Sequence, residues 1–421
     1  MDKALLVTVE FFDNKYKDTW KLDDISFELK ELARSAGLVV VDLVECFKDR
    51  PTAGYYIGTG KAEEIGEICR EKGADVVVFG NDLSSTQQQN LEEVIKVKTI
   101  DRTQLILGIF AKRARSVEGK VQVELAQLEY LLPRLKGKGI MLSRLGGGIG
   151  TRGPGEQKLE MDRRRIRERI VGLKDELEKI RLRRDELRRK RRDSDLFIIS
   201  LIGYTNAGKS TLLNALTSSE ALTQDKLFST LDPMTRRLML PNKQKAVFVD
   251  TVGFLHKLPH HLIEAFKATL EEVVEADLLI HVLDAGSPMI EELNTAVYEV
   301  LEEIGAGQKP IITALNKVDK LSDKNVINRL SKNFDDAVPI SALKKENLSG
   351  LIERISMVLF ASLIYVEALI PQKEAALMSR IYKEASVTKI DFRNDCIYIE
   401  ADMPVRLKNL LDKKGYCVKM A

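Results

Sequence analysis

Cysteine and histidine are scarce in this chain of 421 residues, which contains four of each. The cysteines are scattered and show no C-x-x-C spacing: Cys46, Cys69, Cys396 and Cys417. This pattern argues against a disulfide framework or a zinc site, and it favours buried free thiols in a reducing compartment. The histidines form no metal-binding cluster either.

Long apolar runs are also absent, although hydrophobic residues make up 44% of the chain. No run approaches the roughly 18 residues that a membrane span needs. The segment from Met1 to Val7 leads directly into a strand-like pattern, which is not that of a signal peptide. We therefore expect a cytoplasmic protein without a membrane span, and the length predicts about three domains.

The excess of positive over negative charge is small, with a formal net charge of +3, but the charges are unevenly distributed along the chain. Residues 111–193 contain 25 Lys and Arg against 13 Asp and Glu, a net charge of +12, which leaves −9 for the rest. A basic block in an otherwise acidic chain points to a polyanionic partner, first of all a nucleic acid.

A phosphate-binding motif follows a short apolar strand. Residues 203–211 read Gly-Tyr-Thr-Asn-Ala-Gly-Lys-Ser-Thr and match G-x-x-x-x-G-K-[ST] between a strand-like and a helical segment, the context that the motif requires. The backbone N–H groups would face phosphate oxygens at the start of the helix. Lys209 is expected to reach the outer phosphates, and Ser210 to bind Mg²⁺.

Two further motifs predict which residues bind the metal ion and the γ-phosphate of the nucleotide. Phe-Ser-Thr-Leu-Asp-Pro at 228–233 offers Thr230 as a second Mg²⁺ ligand. Asp-Thr-Val-Gly at 250–253 offers Asp250, which would bind Mg²⁺ through water, and the N–H of Gly253 for the γ-phosphate.

Two motifs predict which nucleotide base the protein binds. Asn-Lys-Val-Asp at 316–319 indicates guanine, because the Asp319 carboxylate can accept hydrogen bonds from N1–H and from the exocyclic amine of that base. Adenine presents an acceptor where the carboxylate needs a donor. Ser-Ala-Leu at 341–343 would complete the pocket. The predicted nucleotide-binding residues are Gly203, Tyr204, Thr205, Asn206, Ala207, Gly208, Lys209, Ser210, Thr211, Phe228, Ser229, Thr230, Leu231, Asp232, Asp250, Thr251, Val252, Gly253, Asn316, Lys317, Val318, Asp319, Ser341, Ala342 and Leu343.

Phe254 follows the Asp-Thr-Val-Gly motif, where Ras-like GTPases commonly have a glutamine that orients water. No catalytic residue is assigned, and we expect slow unaided hydrolysis that an activator accelerates. His256 lies nearby and could be recruited, but a partly exposed loop histidine without a catalytic role is favoured. Asn206 stands where K⁺-activated GTPases have an asparagine ligand, so we predict that K⁺ raises turnover.

Alternating strand and helix signals at 1–103 predict a parallel α/β domain. Within it, Gly58-Thr-Gly-Lys61 could bind an anion, but an ordinary βα turn is favoured because the motif is incomplete. Apolar stripes at 103–132 and 159–192 predict two long helices that form a basic antiparallel hairpin, residues 104–193. A helix of this length would extend its tip roughly 40 Å from its base.

The predicted hairpin tip, residues 135–157, is rich in glycine and basic side chains. A flexible linker is one interpretation. The other is an RNA-binding loop whose bare backbone approaches phosphates, and the basic stalk favours it. The candidate RNA contacts are Arg144, Gly146, Gly147, Gly148 and Arg152.

The remaining segments complete a multidomain α/β fold. Residues 194–361 are predicted to form a P-loop GTPase domain. The order β-α-β-β-α-β at 362–421 predicts a small ferredoxin-like α+β domain.

The nucleotide motifs, together with Gly-Gly-Gly-Ile-Gly-Thr-Arg-Gly-Pro-Gly-Glu at 146–156, resemble the HflX family of translation-factor-class GTPases over residues 56–360. The resemblance implies hydrolysis of GTP to GDP with Mg²⁺, and binding to the 50S subunit near the peptidyl-transferase centre of 23S rRNA. It also implies splitting of stalled or stress-inactivated 70S ribosomes, including in heat stress. Some members are reported to hydrolyse ATP through the N-terminal region.

Two alternatives remain open. One is a GTPase that acts in ribosome biogenesis or on another RNA or RNP. The other is a signalling GTPase whose hairpin binds a protein. In each case we expect a monomer.

Overall fold

The computed structural model describes residues 2–13, 15–16, 18–135, 154–192, 196–217, 234–241, 245–255, 270–361, 363–393, 395–416 and 418–420. Outside them lie Phe228, Ser229, Thr230, Leu231, Asp232, His256, Arg144, Gly146, Gly147, Gly148 and Arg152, all named above. The described residues form three sheets. None of their helices is long and apolar enough to cross a membrane.

The first sheet confirms the predicted parallel α/β fold. Its strands run in the order β2-β1-β3-β4: β1 (Lys3–Phe11), β2 (Val39–Lys48), β3 (Val76–Phe79) and β4 (Lys98–Asp101). The connecting helices are α1 (Leu22–Ala36), α2 (Thr59–Lys72) and α3 (Ser85–Ile95). Consecutive residues Leu5, Leu6 and Val7 are all buried, as expected of a parallel sheet covered on both faces.

The single helix predicted at 103–132 is wrong, because two helices occupy this stretch. They are α4 (Arg102–Arg113) and α5 (Val117–Arg134). Ser116 caps the second helix by accepting a hydrogen bond from the N–H of Gly119 at 2.8 Å. Helix α4 packs on the first sheet. We call the first sheet and helices α1–α4 together the N-terminal unit.

The helical hairpin is present, formed by α5 and the long helix α6 (Pro154–Arg192). Val121 and Leu125 pack against Ile170 and Leu173 in an apolar seam, as the stripes predicted. The predicted reach of the hairpin tip stays a prediction, because residues 136–153 lie outside the described residues. Residues of α5 such as Tyr130 are buried against the N-terminal unit, so α5 lies along that unit.

The end of α5 is also bound to the N-terminal unit. Arg134 donates to the carboxylate of Asp101 at 3.1 Å and to the carbonyl of Leu83 at 2.8 Å. The hydroxyl of Tyr130 donates to the other oxygen of Asp101 at 2.7 Å. These bonds fix the residue from which the predicted tip loop departs.

The second sheet, with its helices, forms the central unit. Its strands run in the order β10-β9-β8-β5-β7-β6: β5 (Leu196–Ile202), β6 (Met234–Met239), β7 (Lys245–Asp250), β8 (Leu278–Asp284), β9 (Ile311–Asn316) and β10 (Ala337–Pro339). All neighbours are parallel except β6 and β7. Its numbered helices are α7 (Lys209–Thr217), α8 (Ile290–Glu303), α9 (Lys324–Asn333) and α10 (Leu348–Ala361).

The C-terminal unit has the predicted order β-α-β-β-α-β. Its elements are β11 (Leu363–Pro371), α11 (Ala375–Glu384), β12 (Ser386–Arg393), β13 (Cys396–Pro404), α12 (Val405–Lys413) and β14 (Val418–Met420). The antiparallel sheet has the order β12-β13-β11-β14, which places the first and third strands at the centre, as in ferredoxin-like folds. We propose that the chain divides into domains after residues 103, 193 and 361.

Candidate functional site

The loop at residues 203–210, which we call the phosphate loop, turns sharply at the carboxyl end of β5. Gly203 has φ 143°, and a Cβ there would lie 2.3 Å from the carbonyl oxygen of Val282. Gly208 has φ 100°, and its Cβ would lie 2.2 Å from Nδ2 of Asn316. Both positions therefore need glycine, which explains the spacing of the motif.

Lys209, the first residue of α7, is buried inside this turn. Its Nζ donates to the carbonyl oxygens of Gly203 at 3.0 Å and Tyr204 at 2.8 Å. Burial lowers the pKa of its ammonium group to about 8, and only part of that effect is offset by the charge of Asp250. A bound phosphate would favour the charged form, because opposite charges at short distance attract strongly in a buried site.

Ser210 and Asp250 meet beside the lysine. The Ser210 hydroxyl donates to Oδ2 of Asp250 at 2.6 Å, and both residues are buried. Serine and aspartate supply oxygen ligands only, which is the donor set that Mg²⁺ prefers. The two residues therefore fit the predicted metal position.

Residues 250–255, which we call the Gly253 turn, are joined to the phosphate loop by backbone hydrogen bonds. Phe254 N–H donates to the carbonyl of Gly203, and Thr205 N–H donates to the carbonyl of Phe254, each at 3.1 Å. The hydroxyl of Thr251 donates to the carbonyl of Leu201 at 2.7 Å and anchors the turn on β5. The two predicted phosphate-binding segments are therefore adjacent in the fold.

Phe254 occupies the usual glutamine position in sequence, but its side chain is only 1% exposed. It packs in a core cluster with Ile202, Leu279 and Val297. The ring therefore points into the central unit and not into the phosphate loop. A buried phenyl ring offers no polar group that could orient a water molecule.

The Asn-Lys-Val-Asp motif follows β9 and contacts the phosphate loop. Asn316 donates through Nδ2 to the carbonyl of Ala207 and accepts through Oδ1 from the N–H of Ala342, both at 2.9 Å. The hydroxyl of Ser341 donates to Oδ1 of Asp319 at 2.6 Å. The structure thus brings the two predicted base-pocket motifs together.

Lys317 connects this motif to a residue that the sequence did not single out. Its Nζ donates to the carbonyl of Asn206 and to Oδ2 of Asp284, both at 2.7 Å. Asp284 is the last residue of β8. A polar residue at the carboxyl end of a buried strand is the sequence feature that could have identified Asp284 as a site residue.

Three predicted nucleotide contacts point elsewhere or lie at the surface. The side chains of Tyr204 and Val252 are buried in a core cluster shared with the N-terminal unit. Leu343 is 76% exposed at the rim of the base pocket. Thr211 and Val318 are partly buried beside their motifs.

Three family models match the chain. A "GTP-binding GTPase N-terminal" model covers residues 24–111, and a "GTP-binding GTPase Middle Region" model covers residues 113–191. A "50S ribosome-binding GTPase" model covers residues 198–317, which include the phosphate loop, the Gly253 turn and the start of the Asn-Lys-Val-Asp motif.

Curated relatives match over nearly the whole chain. A protein of Caldanaerobacter subterraneus subsp. tengcongensis named GTPase HflX is 47% identical over 384 residues, which cover 91% of this chain and 88% of that protein. The GTPase HflX of Escherichia coli (strain K12) is 40% identical over 406 residues, with coverages of 96% and 94%.

Among solved structures, a GTP-binding protein of Sulfolobus solfataricus in complex with GDP is similar to this chain. The identity is 27%, the match covers 85% of this chain and 98% of that chain, and the TM-score is 0.45.

Proposed function

The chain belongs to the HflX family of GTPases, and we propose that it binds the large ribosomal subunit and splits stalled or stress-inactivated 70S ribosomes. The match of residues 198–317 to a model for 50S ribosome-binding GTPases carries the proposal. The net charge of +12 on residues 111–193 supports it, because ribosomal RNA is a polyanion.

In our proposal, GTP lies across the phosphate loop and the base pocket. The N–H groups at the start of α7 and the ammonium group of Lys209 bind phosphate oxygens. The carboxylate of Asp319, oriented by Ser341, reads the guanine edge. The residues predicted from the sequence are therefore kept as the proposed nucleotide contacts, together with Asp284, which orients Lys317.

Ser210 would hold Mg²⁺ directly, and Asp250 would hold it through water. When bound, Mg²⁺ neutralises negative charge on the phosphate oxygens and stabilises the transition state of phosphoryl transfer. Asp250 also accepts the Ser210 hydroxyl, so the same carboxylate orients the serine ligand.

The effect of K⁺ stays a prediction. Asn206 has a left-handed conformation with φ 62°, and its carbonyl accepts from Lys317. We expect replacement of Na⁺ by K⁺ to raise the rate of GTP hydrolysis, measured as phosphate release. Equal rates in the two salts would contradict the prediction.

The group that orients the attacking water is proposed to come from the ribosome. Phe254 is buried in the core and carries no group that could do so. Hydrolysis is therefore expected to be slow in the free protein and faster on the ribosome, which links GTP use to the bound state.

The hairpin is the proposed RNA-binding element. On α6, Arg164 and Arg165 are 80% and 72% exposed, and such side chains can approach phosphates. Arg144, Gly146, Gly147, Gly148 and Arg152 stay the proposed contacts of the tip loop with 23S rRNA near the peptidyl-transferase centre. We expect one copy of the chain to act as a monomer.

A sucrose gradient of 70S ribosomes tests the proposal. With the protein and a non-hydrolysable GTP analogue, we expect the 70S peak to decrease and free 30S and 50S peaks to increase. Asp319→Asn, which should weaken GTP binding, is the matched control. Intact 70S peaks, with the protein bound only to immature particles, would favour the alternative role in ribosome biogenesis.

A further inference from the structure

Thr205, the third residue of the phosphate loop, carries a buried hydroxyl group without a hydrogen-bond partner. The residue is only 6% exposed, and its Oγ1 bonds to no atom of the described residues. Its backbone N–H, in contrast, donates to the carbonyl of Phe254 at 3.1 Å. Burying a hydroxyl without a hydrogen bond is unfavourable, so this group calls for a physical explanation.

Other buried hydroxyl groups of the site have partners within the protein. That of Thr251, for example, donates to the carbonyl of Leu201 at 2.7 Å. Within the described part of the chain, one more buried hydroxyl lacks a partner, that of Ser200, but it lies inside the sheet on β5. Thr205 differs because it lies on a loop whose backbone is arranged to bind phosphate, so a bound ligand can supply the missing partner.

The side chain of Thr205 lies beside the two groups that the motifs assign to the outer phosphates. A Cβ built on Gly253 would lie 2.8 Å from both Cα and Cγ2 of Thr205, and 3.0 Å from Nζ of Lys209. The threonine methyl group, the ammonium group of Lys209 and the Gly253 turn therefore border the same point of the site.

The hydroxyl can reach this point by rotation of the side chain alone. Oγ1 and Cγ2 branch from the same Cβ, so a turn of about 120° around χ1 moves Oγ1 to the position of Cγ2. Because Oγ1 has no partner among the described residues, the rotation breaks no hydrogen bond within them. A γ-phosphate oxygen bound by Lys209 would then be an acceptor for the hydroxyl.

We propose that the hydroxyl of Thr205 is a catalytic group that donates a hydrogen bond to a γ-phosphate oxygen of GTP. The inference rests on the proposed nucleotide site and adds a side-chain donor to it. In hydrolysis, water attacks the γ-phosphorus, the bond to the β–γ bridging oxygen breaks, and the proton lost by the water goes to the released phosphate. Thr205 exchanges no proton, and its hydrogen bond stabilises the negative charge on the γ-phosphate oxygens in the transition state. GDP lacks this acceptor.

Thr205→Val replaces the hydroxyl by a methyl group and keeps the branched shape of the side chain. We expect the affinity for a non-hydrolysable GTP analogue, relative to that for GDP, to fall by about ten- to a hundredfold, because a hydrogen bond to a charged group is lost. Hydrolysis of bound GTP in a single turnover should slow by about tenfold or more. Titration with fluorescent nucleotides and phosphate release measure the two effects in the free full-length protein with Mg²⁺.

The stability of the nucleotide-free protein separates this role from a structural one. Removing a hydroxyl that serves only a bound nucleotide leaves no protein group unpaired, so Thr205→Val should unfold at the same or a higher temperature than the native protein. Thr8→Val is the matched control, since the buried hydroxyl of Thr8 bonds to that of Ser26 at 2.9 Å in the N-terminal unit. This control should lower the melting temperature and leave the GTP-to-GDP affinity ratio unchanged.

Thr205→Ser and Thr205→Ala give a second comparison that does not depend on the folding of the valine variant. Both remove the methyl group, but only serine keeps the hydroxyl, so we expect serine to retain the native affinity ratio and alanine to lose it. A ratio or a hydrolysis rate within twofold of the native value in Thr205→Val, or equal behaviour of the serine and alanine variants, would overturn the proposal. Absence of GDP binding in the native protein would instead contradict the nucleotide site itself.

Discussion

Asp319 is oriented by Ser341, whose hydroxyl donates to one of its carboxylate oxygens at 2.6 Å. Asp319→Asn replaces an acceptor by a donor on the base-facing group. We expect GTP affinity to fall by on the order of 10²-fold or more and xanthine nucleotides to become preferred, measured by competition against labelled GDP. Asp323→Asn, which preserves a cap on α9, is the control, and surviving guanine preference in Asp319→Asn would refute the assignment.

His281 on β8 is fully buried, and neither ring nitrogen has a hydrogen-bond partner among the described residues. Burial, and secondarily the charge of Lys209, lowers its pKa to about 3 from 6.5. Below pH 6.5 the unfolded chain binds a proton that the folded chain does not. The free energy of unfolding should therefore fall by roughly 1.4 kcal/mol per pH unit between pH 6.5 and 3.

Comparing the pH dependence of stability in the native chain and in His281→Leu isolates the contribution of this histidine. All other groups titrate equally in the two proteins. Urea unfolding at several pH values should show a shallower loss of stability in the variant as the pH falls. Parallel curves for the two proteins would mean that His281 is accessible to protons in the folded state.

The sequence was sufficient to predict the position of residues when that position depends on local spacing, while their roles stay predictions. Lys209, Ser210 and Asn316 lie where their motifs indicated, since a strand followed by a tight glycine turn leaves few alternatives. The direction of the Tyr204 side chain could not be predicted in this way. Its acceptor, Glu28, is 176 positions away in the chain, and only the packing of two units brings them together.

At the scale of elements, the break between α4 and α5 was missed because the apolar stripe continues on both sides of it. Residues 111–115 are alanine, lysine and arginine, which are good helix formers, so propensity gave no stop signal. The signal was Ser116, a favoured N-cap residue that accepts from Gly119. The stripes themselves did predict the seam between α5 and α6.

Leu173 is fully buried at the centre of that seam. Leu173→Ala should lower the free energy of unfolding by about 2–5 kcal/mol, because it leaves a cavity between the helices. We expect weaker cosedimentation with ribosomes but unchanged GDP affinity. Leu182→Ala on the same helix is the control, since Leu182 is 59% exposed. Equal stability of the two variants would mean that the helices are not paired through this residue.

At the scale of the whole molecule, the separation of charge sets the expected response to salt. If residues 111–193 bind ribosomal RNA through phosphates, raising salt from about 50 to 200 mM should weaken ribosome binding by tenfold or more. Cosedimentation over a salt series measures this, with GDP affinity in the same buffers as the control. Salt-independent binding would favour a protein partner, as would binding that survives removal of Arg144 to Gly155.

The long helix α6 spans the units, and its stiffness has a geometric consequence. Arg181 forms an ion pair with Glu271 of the central unit at 3.6 Å, whereas Pro154 lies about 40 Å further along the helix. A tilt of about 5° around Arg181 would displace the Pro154 end by about 3.5 Å. A small rotation at the central unit is therefore enlarged along α6 into a shift of several ångströms at its Pro154 end.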